Sequence, residues 1–145
     1  QDSHKALPRL PHPLARLDEV ELLPFRALAR AGVASVMTAH VVFDALDPRR
    51  PATLSPEVMR LLRERVGFQG CAISDDLEMK AIARDYQVPS AAVLAIEAGC
   101  DGVLICSGDW EMQAAAIEAG DAPVRGIALG VPGALGLART ETGGA

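Results

Sequence analysis

Residues 70–77 read GCAISDDL, and this stretch decides the fold class. A glycine that can end a helix precedes a short run of apolar and small residues, and two carboxylates follow directly. Near-continuous apolar runs of this kind are typical of strands whose two faces are both covered, as in parallel sheets. Residues 33–39 and 102–106 are similar runs, each closely preceded by a glycine. The three runs therefore predict three parallel strands.

Helical patterns lie around these runs. Ser55 and Pro56 provide an N-cap followed by proline at the first helical position, and apolar residues then recur on one face up to Gly67. Three further helices are predicted, over about residues 22–31, 90–98 and 109–119. The alternation of helices with short strands predicts an α/β fold with a parallel sheet.

Three strands do not complete a closed architecture. A (β/α)8 barrel takes about 250 residues, whereas this chain has 145. An open sheet of three strands leaves edges and a face uncovered. A small doubly wound domain and a piece of a barrel therefore both remain possible at this point. Residues 130–145 are rich in Gly, Ala and Thr without periodicity, and we expect them to form a poorly ordered tail.

The composition excludes some classes of function. Half of the residues are hydrophobic (50%), which is enough for one core. The chain has 14 basic and 19 acidic residues and no basic block, which argues against nucleic acid or an anionic membrane as the main partner. No apolar run is long enough to cross a bilayer. The first residue is Gln1 rather than Met, so we expect the natural start to be missing.

The three cysteines, Cys71, Cys100 and Cys106, form no C-x-x-C pair. An odd number without metal-ligand spacing favours small buried residues in a reducing compartment, so we expect a cytoplasmic protein. The sequence does not indicate an oligomeric state.

Asp75 and Asp76 directly follow the second predicted strand, at the edge of a parallel sheet where catalytic groups are placed. Adjacent residues of an extended segment point in opposite directions, so at most one of the two can face a given substrate atom. Capping of the next helix explains a pair of aspartates equally well. Both interpretations remain open from the pair alone.

Two histidines extend the set of candidates. Asp2 lies two residues before His4, so its carboxylate can orient the ring in a proton shuttle, although an ordinary surface loop is the commoner origin of such a pair. His40 ends the first strand run, where it can face the same edge as Asp75 or be hydrogen-bonded beneath it for packing. Zinc spacings, phosphate-binding loops and dinucleotide-binding glycine patterns do not occur, so no metal site is predicted.

Several segments together resemble one enzyme family. They are residues 2–8 (DSHKALP), 24–26 (PFR), 36–41 (VMTAHV), 46–48 (LDP), 51–56 (PATLSP), 67–70 (GFQG) and 74–79 (SDDLEM). In this order they are similar to the bacterial β-N-acetylhexosaminidases of glycoside hydrolase family 3, over about residues 2–106. The resemblance implies a retaining enzyme that removes terminal N-acetylglucosamine from cell-wall muropeptides or related β-glycosides.

The resemblance also implies roles for individual residues. Asp75 matches the nucleophile of the family, which forms a covalent glycosyl intermediate. His4 matches a histidine acid/base on a mobile loop, and Asp2 matches the aspartate that supports it. His40 is a candidate for substrate binding. The family's reaction needs neither a metal ion nor an organic cofactor, and its partner is an N-acetylglucosamine-containing glycan.

For the fold, the resemblance implies that residues 1–129 are the C-terminal part of a (β/α)8 barrel. The three strands match its sixth to eighth strands, and the loop with Asp2 and His4 follows the fifth. Because the family's main sugar-binding segment precedes this loop, we expect the isolated chain to be inactive. Two alternatives stay open: a phosphorylase or transglycosylase of the same family, since a neutral histidine repels phosphate less than a carboxylate does, and a non-catalytic fragment.

Overall fold

The computed structural model describes residues 7–120, 127–129 and 135–136. The predictions for Asp2 and His4, and most of the expected tail over residues 130–145, lie outside these ranges. The described strands are β1 (Arg9–Leu10), β2 (Ser35–Met37), β3 (Val42–Phe43), β4 (Cys71–Asp76), β5 (Gly102–Leu104), β6 (Ile127–Leu129) and β7 (Leu135–Gly136). No helix within these ranges is long and apolar enough to span a membrane.

The helices lie mostly between the strands. The α-helices are α1 (Leu14–Arg16), α2 (Leu23–Arg30), α3 (Pro56–Arg60), α4 (Lys80–Ala83), α5 (Val88–Ala98) and α6 (Trp110–Ala119). A π-helical turn continues α1 over Leu17–Glu21, another continues α3 over Leu61–Arg65, and a 3₁₀ turn covers Ala52–Leu54. The predicted helices are thus all present, and Ser55 caps α3 through its side chain as its position predicted.

The main sheet has the strand order β2-β4-β5-β6-β7. Its first four strands are parallel, and β7 is antiparallel to β6. This arrangement confirms the predicted α/β fold with a parallel sheet. Strands β1 and β3 form a separate parallel ribbon, in which Arg9 pairs with Val42 and Leu10 with Phe43.

Several short elements were not predicted, and α4 and β6 show the physical reasons. Helix α4 contains only four residues, which is too short to show a helical period. Strand β6 contains three residues and depends on pairing with β5 rather than on a strong local pattern. The ends of the longer helices were easier to locate. Gly99, for example, ends α5 with φ 117°, a left-handed conformation that glycine adopts without strain.

The hydrophobic core lies on one face of the sheet. It combines residues of α3, α5 and α6 with inward-pointing strand residues such as Ala72 and Val103. The opposite face is open, since Met37 is 51% exposed and Cys71 is also exposed. The expectation of buried cysteines is therefore correct for Cys100 and wrong for Cys71, which lies on the uncovered face.

Asp101 holds the start of β4 at the end of the sheet remote from Asp75. Its Oδ2 accepts hydrogen bonds from the Ala72 amide at 2.8 Å and from the Arg63 guanidinium at 2.7 Å. Its own amide donates to the Ala72 carbonyl at 2.7 Å. Arg63 also donates to the Gly70 carbonyl at 2.6 Å. One aspartate therefore joins the strand to the chain before β5 and to the helical segment after α3.

We expect Asp101→Ala to lower the free energy of unfolding by about 1–3 kcal/mol, because the Ala72 amide loses its acceptor. Urea unfolding followed by circular dichroism measures this loss. Asp85→Ala is the matched control, since Asp85 is exposed and makes no side-chain hydrogen bond within the described residues. Equal losses in the two variants would contradict the assigned role of Asp101.

Candidate active site

Strand β4 contains a β-bulge next to its two aspartates. Ile73 pairs with Gly102 and Asp76 pairs with Leu104, so β4 advances three residues while β5 advances two. The amide of Leu104 donates to the hydroxyl of the fully buried Ser74 at 2.9 Å. The side chain thus replaces a backbone acceptor where the ladder is interrupted. Bulges next to active sites redirect side chains, and this bulge lies at Ser74 and Asp75.

The bulged strand directs its side chains to two different faces. Ser74 is buried on the face that carries the core, as is Ala72. Asp75 is partly exposed and shares the open face with Ile73 and the exposed Cys71. This alternation is the normal consequence of the pleat of a strand. The open face at the carboxyl edge of the sheet therefore presents Asp75.

The carboxylate of Asp76 binds the backbone of nearby loops. Its Oδ1 accepts hydrogen bonds from the Glu78 amide at 3.1 Å and from the Cys106 amide at 3.3 Å. Helix α4 begins after Met79 without a side-chain cap, so neither aspartate caps it. The capping interpretation is thus wrong for both residues. Asp76 instead connects the end of β4 to the loop that follows β5.

Asp75 has a different environment. Its Oδ1 accepts a hydrogen bond from the Asp76 amide at 2.8 Å. Within the described part of the chain, Oδ2 has no hydrogen-bond partner and no basic side chain forms an ion pair with the carboxylate. One oxygen is therefore held in place while the other remains available. A free carboxylate oxygen on the open face is compatible with a role as a nucleophile.

His40 lies beneath the two aspartates and is only 1% exposed. Its Nε2 lies 2.8 Å from the Asp76 carbonyl oxygen, and its Nδ1 lies 2.9 Å from the Thr53 hydroxyl. A carbonyl can only accept, so Nε2 carries the proton and Nδ1 of the neutral ring accepts from Thr53. The Thr53 oxygen in turn lies 2.9 Å from the Thr38 hydroxyl, which donates to it. The four groups form a chain of hydrogen bonds with one direction.

The pKa of His40 agrees with a neutral ring that accepts a hydrogen bond at Nδ1 and donates one from Nε2. Burial lowers the pKa of the ring, and this effect outweighs the bond to the Asp76 carbonyl and the charges of Asp75 and Asp76, which raise it. The ring is therefore neutral near pH 7. Because both nitrogens bind protein groups, the geometry favours the supporting interpretation of His40. A direct contact with substrate stays a prediction.

Asp47 organises the loop that carries Thr53. Its carboxylate is buried and accepts from the amides of Arg49 at 3.0 Å and Arg50 at 3.2 Å, and from the Ser55 hydroxyl at 3.0 Å. Burial raises the pKa of Asp47, but these three hydrogen bonds and the charge of Arg50 outweigh burial and lower it overall. The sequence analysis did not identify Asp47 or Thr53, although Asp47-Pro48 is a turn signal.

The structure describes the chain only after the predicted acid/base residues, from residue 7 onward. Asp2 and His4 lie outside the described residues, and their roles stay predictions. The Val42 amide donates to the Pro8 carbonyl at 2.9 Å, so the chain just after this segment is attached close to His40. Within the described ranges, no three His, Cys, Asp or Glu side chains are grouped as metal ligands would be.

Known proteins match this chain closely. Residues 1–129 match the family described as "Glycosyl hydrolase family 3 N terminal domain". A beta-hexosaminidase of Alkalilimnicola ehrlichii is 45% identical over 107 residues, which are 73% of this chain and 30% of that protein. A beta-hexosaminidase of Neisseria meningitidis is 38% identical over 106 residues, with 73% and 29% covered. The chain therefore spans about 30% of the length of the curated relatives it matches.

Solved structures agree with these relatives. A glycoside hydrolase family 3 β-N-acetylglucosaminidase from Paenibacillus sp. superposes with a TM-score of 0.79 at 49% identity, covering 83% of this chain and 23% of that one. NagZ from Neisseria gonorrhoeae in complex with N-trifluoroacetyl-D-glucosamine has a TM-score of 0.67 at 38% identity, with 78% and 32% covered. The α/β architecture and the match over most of the chain show its class. The chain belongs to glycosyl hydrolase family 3.

We expect Ser74→Ala to lower the free energy of unfolding by about 1–3 kcal/mol, since the Leu104 amide loses its acceptor at a buried position. The expected loss would be seen in urea unfolding. Ser90→Ala serves as the control, because Ser90 is exposed on α5. If Ser74→Ala were as stable as the control, the hydroxyl would not be what joins the strands across the bulge.

The lowered pKa of His40 gives a pH dependence with a defined sign. Below about pH 6.5 the unfolded ring binds a proton that the folded ring does not, so the free energy of unfolding falls as the pH falls. One ring contributes a slope of at most about 1.4 kcal/mol per pH unit. His40→Gln should remove this contribution from unfolding measured between about pH 7.5 and about pH 5, whereas His12→Asn should keep it. Identical curves for His40→Gln and the unaltered chain would contradict the lowered pKa.

Proposed function

We propose that this chain is the nucleophile-bearing part of a retaining β-N-acetylhexosaminidase. The enzyme would hydrolyse terminal N-acetylglucosamine from cell-wall muropeptides or related β-glycosides. The observation that carries the proposal is the Asp75 carboxylate, which has one bound and one available oxygen on the open face at the carboxyl edge of the sheet. The names of the relatives support the choice of substrate.

The proposed reaction has two steps. In the first, Oδ2 of Asp75 attacks the anomeric carbon, the glycosidic bond breaks, and His4 protonates the departing oxygen. In the second, His4 removes a proton from water, which attacks the same carbon and releases Asp75. Two inversions give net retention. Asp2 would orient the His4 ring and stabilise its charged form.

We also propose that the parallel sheet is part of a barrel. Residues 1–129 would form the C-terminal part of a (β/α)8 barrel, whereas β7, which lies within the expected tail over residues 130–145, pairs with β6 of the main sheet. Two observations support the barrel: β2, β4 and β5 are parallel, and Met37 and Cys71 leave one face of their sheet open. Parallel sheets are normally covered on both faces, and in a barrel the remaining strands enclose the inner face. The free cysteines support a cytoplasmic location.

Release of 4-nitrophenol from 4-nitrophenyl N-acetyl-β-glucosaminide tests the activity. The assay uses this chain and a version extended upstream to the length of its relatives, each with and without Asp75→Ala. We expect the extended protein to be active and Asp75→Ala to reduce its kcat/KM about a thousandfold or more. Asp85→Ala is the control and should leave the rate unchanged.

A second readout separates loss of the nucleophile from loss of structure. Azide can enter the space left by the Asp75 carboxylate and attack the anomeric carbon from the same face. Azide should therefore restore turnover in Asp75→Ala and yield the α-glycosyl azide, because only one inversion occurs. A folded extended protein without activity, in the presence or absence of phosphate, would overturn the proposal. Formation of a sugar phosphate would assign the phosphorylase activity instead.

A further inference from the structure

We propose that His40 is a positioning residue for the Asp75 nucleophile, acting through the peptide backbone of Asp76. The inference rests on the proposed function, because it assigns His40 a part in the same reaction. His40 has no contact with the reacting atoms in this scheme. Its Nε2–H holds the Asp76 carbonyl, and the Asp76 amide holds the Asp75 carboxylate.

Regular strand pairing is lacking next to Asp75. Strand β4 leaves the normal register with β5 between Ile73 and Asp76. A bulge disrupts the ladder locally and bends the strand, so the ladder alone does not set the peptide orientation here. Other contacts must hold the Asp75–Asp76 peptides. The bond from His40 to the Asp76 carbonyl is one of these contacts. His40 lies in the connection between β2 and β3, away from β4 in the sequence.

The turn that follows Asp76 holds the same peptide. The Asp76 carbonyl accepts from the Met79 amide at 3.1 Å as well as from His40 at 2.8 Å. Both donors hold the same oxygen, and together they fix the plane of the peptide after Asp76. The Asp76 amide donates to Oδ1 of Asp75 at 2.8 Å. Rotation of Asp76 would therefore move the group that holds Oδ1 and change the direction of Oδ2.

The tautomer of the His40 ring determines which nitrogen can donate to Asp76. The Asp76 carbonyl, which can only accept, keeps the proton on Nε2, and the Thr38 and Thr53 hydroxyls fit this tautomer by donating along a chain that ends at Nδ1 of His40. The other tautomer would place the lone pair of Nε2 against the Asp76 carbonyl. At a position that is 1% exposed, no water would compensate for the lost hydrogen bond. The Asp76 carbonyl therefore selects the tautomer in which His40 donates toward the nucleophile strand.

Two substitutions of His40 separate positioning from packing. The amide nitrogen of Gln lies near the position of Nε2, so His40→Gln keeps a donor toward Asp76. Asn is shorter, and its side-chain amide lies near the position of Nδ1. His40→Asn therefore keeps a hydrogen bond with Thr53 and loses the hydrogen bond to the Asp76 carbonyl. His12→Asn is the matched control. All variants are made in the full polypeptide that carries this sequence, and thermal unfolding verifies that each is folded.

We expect His40→Asn to reduce kcat/KM for 4-nitrophenyl N-acetyl-β-glucosaminide about 100-fold, because small misplacements of a reacting group have effects of this size. His40→Gln should recover most of the loss, and His12→Asn should have none. The loss in His40→Asn should be equally large with a phenyl leaving group, since the nucleophile acts on both substrates. A group that only protonated the leaving oxygen would matter less for nitrophenol, which is the better leaving group.

Nuclear magnetic resonance gives a readout that does not need activity. The imidazole ¹⁵N shifts of His40 should report a neutral ring with the proton on Nε2. The amide proton of Asp76 should shift in His40→Asn and return toward its original position in His40→Gln, because it reports the bond to Asp75 Oδ1. His12→Asn should leave it in place.

The outcomes distinguish this inference from the proposed function. An inactive wild-type protein would overturn the function, and the Asp76 amide shift would still decide whether His40 sets the Asp75 carboxylate. An active wild type with unchanged kcat/KM in a folded His40→Asn would overturn the inference alone. A proton on Nδ1 of His40, or an Asp76 amide that does not respond to His40→Asn, would overturn it as well. If His40→Asn failed to fold, the wild-type ¹⁵N shifts and His40→Gln would decide.

Discussion

The hydrogen bond from the Leu104 amide to the Ser74 hydroxyl is the contact on which the geometry of the site depends. It joins β4 to β5 where the backbone ladder is interrupted, and the Leu77 amide resumes the ladder at the Leu104 carbonyl, 3.0 Å away. The strand can therefore contain an extra residue without separating from its neighbour. Asp75 faces the open side, as the pleat of the strand dictates, and Asp76 reaches the loop after β5.

The fold was predictable where the signals were local. The Ser55 cap, the proline after it and Gly99 mark helix ends by their own backbone preferences, so one sequence is enough to locate them. The bulge in β4 was not predictable, because a bulge is a property of the register between two strands. The open face of the sheet was also beyond prediction from the pattern of β4, since apolar residues occur on exposed and covered faces alike.

The site was predictable in its location but not in its division of roles. Only the family resemblance assigns the nucleophile to Asp75, because Asp75 and Asp76 are adjacent and identical in type, and neither type nor spacing separates them. Their hydrogen bonds do, because Asp76 binds the amide of Cys106, thirty residues along the chain. The contacts of His40 with Thr53 and with the Asp76 carbonyl also join residues that are distant in sequence, 13 and 36 positions apart. Long-range contacts of this kind leave no periodic trace, and the three-dimensional structure was needed to find them.

The β1–β3 ribbon has a consequence for protein engineering. It attaches the chain directly after the Asp2–His4 segment to residues that follow His40, in a parallel register that pairs Arg9 with Val42. A slip of one residue would turn every side chain of β1 to the opposite face. A chimaera that takes residues 1–8 from another family member must therefore join the native chain at Arg9, so that the pairing with Val42 and Phe43 is retained. The ribbon therefore fixes where the exchanged segment joins residues 42–43.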